Sequence, residues 1–197
     1  MSMLFSPFRQ REVTLRNRTV VAPMCQYSAR HGVVNDWHFV HLGRFALGGF
    51  GLVMVEATGV SPEGRISYAD VGLWNTEQEQ ALARIAKFLK EHGAVPAIQI
   101  AHAGRKASSP VGWRRGFDER EDEKAGVAFE HWTPVAPSAI PHTDAPEYQT
   151  PTALDAAGLR KVVDDFGATF ARAHRAGFEV AEVHAAHGYL LNQFLSE

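Results

Sequence analysis

The chain has one cysteine, Cys25, in 197 residues. An internal disulfide is therefore excluded, and a lone thiol fits a reducing compartment, so a cytoplasmic location is expected. No apolar run approaches the roughly 18 residues that would cross a bilayer. The opening stretch, MSMLFSPFRQREV, lacks the long apolar core of a secretory signal. No membrane role is expected. Charge of one sign is missing too: the formal net charge is -2, which leaves no electrostatic footprint for nucleic acid. The most charged stretch, RRGFDEREDEK, alternates in sign and reads as a solvated surface loop. With 45% apolar residues, the expectation is a soluble globular chain with one core, too short for two.

What is present alternates between two periods. TVVAPM is a short β-branched run, a strand ending at Pro23. Asp36 can cap a helix through about Leu47, closed by Gly48 and Gly49. LVMVEATGV is a second strand, and Thr76 with Glu79 has the pattern of a capping box. Leu82, Ile85, Ala86 and Leu89 then repeat at helical spacing until Gly93. A third strand, VPAIQIAH, runs into a proline-rich segment from about 103 to 151 with no sustained period. Leu159, Val162, Val163, Phe166 and Phe170 mark an amphipathic helix ending near Gly177, and FEVAEVH is a fourth strand.

Strands alternating with helices predict an α/β fold with a parallel sheet, covered by helices and buried on both faces. Two architectures compete, an open doubly wound sheet and a (β/α)8 barrel. An open nucleotide-binding sheet should carry its glycine fingerprint after the first strand. The glycines of LGGFGL instead lie where a helix stops, and PMCQYSA is no phosphate cradle. Polar groups favour the barrel: Cys25 and Tyr27 follow the first strand, Thr58 the second, Gln99 and His102 the third, His184 and His187 the fourth. The C-terminal ends of barrel strands form the active face. A loop as long as 103–151 is expected to act as a lid.

His184 and His187, three apart, could together clamp a carbonyl or nitro oxygen through their N–H groups. Tyr189 could then donate a proton as general acid. Two satisfied polar side chains at a rim are the plainer alternative. A metal site with His102 as third ligand is another. Cys25 alone could be core filler. Gln99, with a donor and an acceptor, suits the edge of a heteroaromatic ring.

The segments LRNRTVVAPMCQYSA, VEATGVSPEGRIS, IQIAHAGRKAS and EVHAAHGYLLNQFLSE together resemble the Old Yellow Enzyme family of flavin-dependent ene-reductases. The cysteine of PMCQY is similar to the branch of xenobiotic reductases and thermophilic-like enzymes. The resemblance implies an FMN-binding (β/α)8 barrel of the flavin oxidoreductase type. About four of its βα units lie in this chain, so 1–197 would be the N-terminal half of one barrel domain. By the same resemblance Pro23, Met24, Cys25, Ala57 and Gln99 contact FMN. Tyr27, His184 and His187 bind substrate, and Tyr189 protonates it; no metal is implied.

The implied activity is NAD(P)H-dependent reduction of the C=C bond of α,β-unsaturated carbonyl or nitro compounds. NADPH, or less favourably NADH, would be the reductant and small activated alkenes the substrates. The chain's partner would be a copy of itself or a C-terminal half. The alternative is a flavin-free half barrel that serves as a structural or partner-binding module.

Overall fold

The computed structural model describes residues 2–112, 130–145 and 148–196. A hairpin opens the chain: β1 (Phe8–Gln10) pairs antiparallel with β2 (Val13–Leu15). Then come β3 (Val20–Val21), α1 (Asp36–Leu47), β4 (Leu52–Gly59), α2 (Thr76–Glu91) and β5 (Val95–Ala101). β6 (Val135–Ala136) and β7 (Thr152–Ala153) form a short parallel ladder within the long connection. α3 (Ala156–Arg175), β8 (Val180–Val183) and α4 (Leu190–Leu195) complete the order. The main sheet is parallel throughout, in the order β3-β4-β5-β8.

The two sheet faces bury different sets of side chains. Val53, Val55, Ile98 and Ile100 share one cluster with Leu42 and Ala46 of α1, Leu82, Ile85 and Leu89 of α2, and Val162 and Phe166 of α3. Burying each of the larger of these stabilises by about 1.5–3 kcal/mol. On the opposite, inner face Leu52, Met54, Val95 and Ala97 pack with Leu15, so the hairpin closes the N-terminal end of that face.

Helix boundaries follow the predicted pattern with a one-residue slip at two starts. Asn35, not Asp36, caps α1: its extended backbone (φ -132°, ψ -168°) lets its side chain accept the Trp37 N–H. Asp36 is already helical, so it cannot do this. At α2 the capping box is Asn75 with Gln78, not Thr76 with Glu79. Asn75 Oδ1 accepts the Gln78 N–H (2.9 Å), and Gln78 Oε1 accepts the Asn75 N–H (3.2 Å). Gly93 and Gly177 end their helices in the left-handed region (φ +76° and +95°), which costs glycine nothing.

Three expectations about extent and burial need correction. β3 stops at Val21 rather than at Pro23, since Pro23 has no N–H to continue a ladder. On α3 the buried stripe is Val162, Phe166, Thr169 and Ala173. Leu159 and Val163, predicted to share it, are 39% and 70% exposed because α3 turns one side to α2 and β5. The fourth strand was expected to be covered on both faces; Ala181, Glu182 and Val183 are exposed, because β8 is the edge of the sheet.

Part of the long connection is tied down. Arg65, buried between Trp74 and Trp132 (4.8 Å and 5.3 Å from guanidinium to the Trp132 and Trp74 rings), pairs with Glu130. The RRGFDEREDEK stretch lies outside the described residues. Among the described residues no helix is long and apolar enough to cross a membrane.

Candidate active site

The strand ends place the predicted polar residues together at the C-terminal side of the sheet. A bulge in β4 decides which side chains face inward there. Val55 pairs with Ile98 and Ala57 with the next residue, Gln99, so Glu56 is the extra residue. Bulges re-aim side chains and recur beside functional sites. Without this one, Ala57 would fall out of step with Gln99; with it, the two lie side by side. Gln99 Nε2 donates to Glu182 Oε1 (2.5 Å) across the β5–β8 pair. Glu182 thereby fixes the orientation of the amide.

Glu56 is 3% exposed and accepts the Gln26 N–H (3.0 Å). Its other oxygen lies 3.8 Å from His38 Nε2. Burial pushes its carboxyl up from the usual range to about 8 and pushes the buried His38 imidazole down to about 4. His38 Nδ1 sits within reach of both the Asn35 N–H (3.2 Å) and Asn35 Oδ1 (3.1 Å), which holds the ring with Nε2 toward Glu56. Asn35 Nδ2 donates to Ser28 O (2.6 Å), and Trp37 Nε1 donates to Gln26 Oε1 (3.2 Å). The N-terminus of α1 thus holds the segment that carries Pro23, Met24, Cys25 and Tyr27.

In that segment Met24 is 46% exposed, and Pro23, Cys25 and Tyr27 are half-buried. Burial first, then the Asp70 and Glu56 carboxylates, push the Cys25 thiol up, so it stays protonated. Tyr27 is likewise raised by burial and then by Cys25, Asp70 and Tyr189. Asp70, 1% exposed, accepts the Ile66 and Ser67 N–H groups and the Ser67 hydroxyl. Burial nonetheless raises it to about 6.

The histidines and Tyr189 form an edge-packed trio. His184 meets His187 at 5.0 Å between ring centroids and Tyr189 at 4.8 Å, at 80° and 90°. The Ala186 N–H donates to His184 Nδ1 (3.3 Å), which leaves the proton on Nε2. Burial and the neighbouring His187 lower the His184 pKa, so the ring is neutral and offers one N–H. His187 stands in the left-handed region (φ 59°), as does Tyr27 (φ 49°). Such backbone costs about 1–3 kcal/mol and concentrates at functional sites. Burial, then Cys25 and Asp70, raise Tyr189 to about 12. It therefore keeps its proton at neutral pH.

His102 does not join them. Its ring packs on Gly64, where an added Cβ would meet it at 2.9 Å, and its Nδ1 accepts the Gly104 N–H. Burial lowers it to about 4. Among the described residues no group of three or more His, Cys, Asp or Glu converges as a metal site requires. Sequence reasoning missed Glu56, Asp70, Lys106 and Glu182. Glu56 and Glu182 carried a signal, each as the one acid inside its strand.

A parallel α/β sheet that gathers a neutral His184, a protonated tyrosine and an oriented amide at its C-terminal strand ends has the layout of part of a barrel. The chain belongs to the NADH:flavin oxidoreductase / NADH oxidase family, which it matches over residues 3–197. It is 43% identical to an NADPH dehydrogenase of Bacillus cytotoxicus, over 99% of this chain and 50% of that protein. It is 46% identical to one of Listeria monocytogenes, over 100% of this chain and 52% of that protein. Among solved structures, morphinone reductase superposes with a TM-score of 0.80 at 29% identity, over 98% of this chain and 50% of that one. The Old Yellow Enzyme homologue of Zymomonas mobilis gives 0.73 at 28%, over 100% and 52%. The fold is that of the first βα units of a (β/α)8 barrel. The chain spans about half the length of the curated relatives it matches.

Proposed function

We propose that this chain supplies the substrate clamp and one side of the flavin site of an FMN-dependent NAD(P)H oxidoreductase that reduces activated C=C bonds. On this reading residues 1–197 are the N-terminal half of one barrel domain. The observation that carries it is the His184–His187–Tyr189 trio, with a neutral N–H donor beside a tyrosine that keeps its proton.

The donor set fits a flavin. Met24 offers exposed apolar surface, Cys25 a neutral thiol, and Gln99 an oriented amide for a ring edge with N–H and C=O groups. Pro23, Met24, Cys25, Ala57 and Gln99 would hold the ring. FMN, when bound, supplies the hydride chemistry, with NADPH or NADH as the source of reducing equivalents.

The chain's own residues do the rest. The N–H groups of His184 and His187 stabilise negative charge as it builds on the carbonyl or nitro oxygen of the substrate. Tyr189 delivers the proton that completes the saturated product. Tyr27 borders the substrate. It is held there by packing against Tyr68, Ala69 and Val111.

The test is phenol binding, since a phenolate mimics the charged oxygen. A His184→Ala, His187→Ala double variant should bind a para-substituted phenol about 100-fold more weakly, two hydrogen bonds to a charged group being lost. Unchanged binding would sink the clamp. A second reading, a flavin-free half barrel that binds a partner, draws support from the exposed edge strand β8. Stable folding and partner capture without flavin would favour it.

A further inference from the structure

A cavity of about 260 Å³ opens beside His187. Arg105, Lys106, His142, Asn192 and Ser196 line it together with His187, and no described lining residue is a carboxylate. Arg105 and Lys106 are both half-buried. Neither has an ion-pair partner among the described residues. The buried Arg65, by contrast, is matched by Glu130. Lys106 Nζ donates to His187 O (2.7 Å), which uses one of its three donors. Both cations bear on His142, lowering its basicity after the effect of burial, so the three groups converge.

Their placement is built in. The Arg105 N–H donates to Gln193 Oε1 (3.3 Å) on α4. Gly104 (φ +60°) lies so close to the Gln193 amide that an added Cβ would meet it at 2.5 Å. The turn bearing both cations is therefore pressed onto α4, beside the backbone of His187.

We infer that this cavity is a subsite for an anionic group, a phosphate or carboxylate, borne by the compound whose reactive end reaches His184 and His187. The inference rests on the clamp reading of those two histidines. The volume equals that of about eight or nine liquid waters, enough for a phosphate or a short acidic chain but not for a whole dinucleotide. Two sources share this chemistry: a phosphate of the nicotinamide dinucleotide, and an acid group on the alkene substrate.

The experiment needs no flavin. Proton NMR of the full chain follows the His142 ring, assigned with a His142→Gln variant, during titration with inorganic phosphate, adenosine 2′-monophosphate and cinnamate. An anion seated against the ring should raise its pKa saturably by on the order of one unit. Arg105→Gln should weaken that response about 10-fold or more; Lys106→Gln serves as a second variant if the first does not fold. A response to adenosine 2′-monophosphate alone among the organic probes assigns the subsite to the dinucleotide, and a response to cinnamate alone assigns it to the substrate. His142 unmoved by all three, moved equally in Arg105→Gln, or moved by inorganic phosphate only would overturn the inference. Failure of the chain to take up FMN would leave this titration untouched, so the two readings fail separately.

Discussion

Replacing Glu56 by glutamine should stabilise the protein, and by more as the pH rises. The carboxyl is buried at the β4 bulge, with one backbone N–H to accept and the His38 ring at 3.8 Å. Burial raises its pKa from 4.5 to about 8. An acid with a raised folded pKa holds a proton that the unfolded chain releases. Its contribution is therefore fully present below 4.5 and is lost as the pH rises toward 8. The slope is about 1.4 kcal/mol per pH unit, on the order of 3 kcal/mol lost by pH 7. Glutamine keeps the shape and keeps an oxygen for the Gln26 N–H, but never ionises. His38, held to about 4 by burial, adds stability of the opposite slope between about 4 and 6.5 in both proteins. The difference between them thus isolates Glu56. Urea unfolding followed by tryptophan fluorescence at pH 5, 6, 7 and 8 measures it. A difference that stays flat across that range would refute the reasoning.

Tyr189→Phe should lower alkene reduction about 100- to 10,000-fold, the usual worth of a general acid, while phenol binding by His184 and His187 stays within a few-fold; stopped-flow kinetics and calorimetry separate the two. Leu82→Ala, at a fully buried position of α2, should cost about 2–5 kcal/mol in urea unfolding. Asn75→Ala removes the side-chain acceptor for the Gln78 N–H and should cost about 1 kcal/mol.

Periodicity made the α2 face legible: Leu82, Ile85, Ala86 and Leu89 are buried as the 3.6-residue spacing requires. The caps slipped by one because asparagine, serine, threonine and aspartate all satisfy the pattern, and only backbone φ and ψ choose among neighbours. The exposure of Leu159, Val163 and β8 could not be read from apolar content, which tells what a residue could bury but not whether a neighbour is there. At the site, His184, His187 and Tyr189 stood out because they crowd one strand end. The roles of Glu182 in orienting Gln99 and of Glu56 in accepting the Gln26 N–H were invisible. Each depends on register across strands distant in sequence, and Glu56 depends on a bulge that no alternation predicts.

The proposed role of these residues is to serve a flavin. The most direct measurement is the visible absorption spectrum of the purified chain supplied with FMN, with bound cofactor counted against protein. A flavin spectrum near one FMN per chain is expected, weakened by Gln99→Ala, with reduction of an enone such as 2-cyclohexenone by NADPH. A colourless protein that ignores added FMN while remaining folded would contradict it.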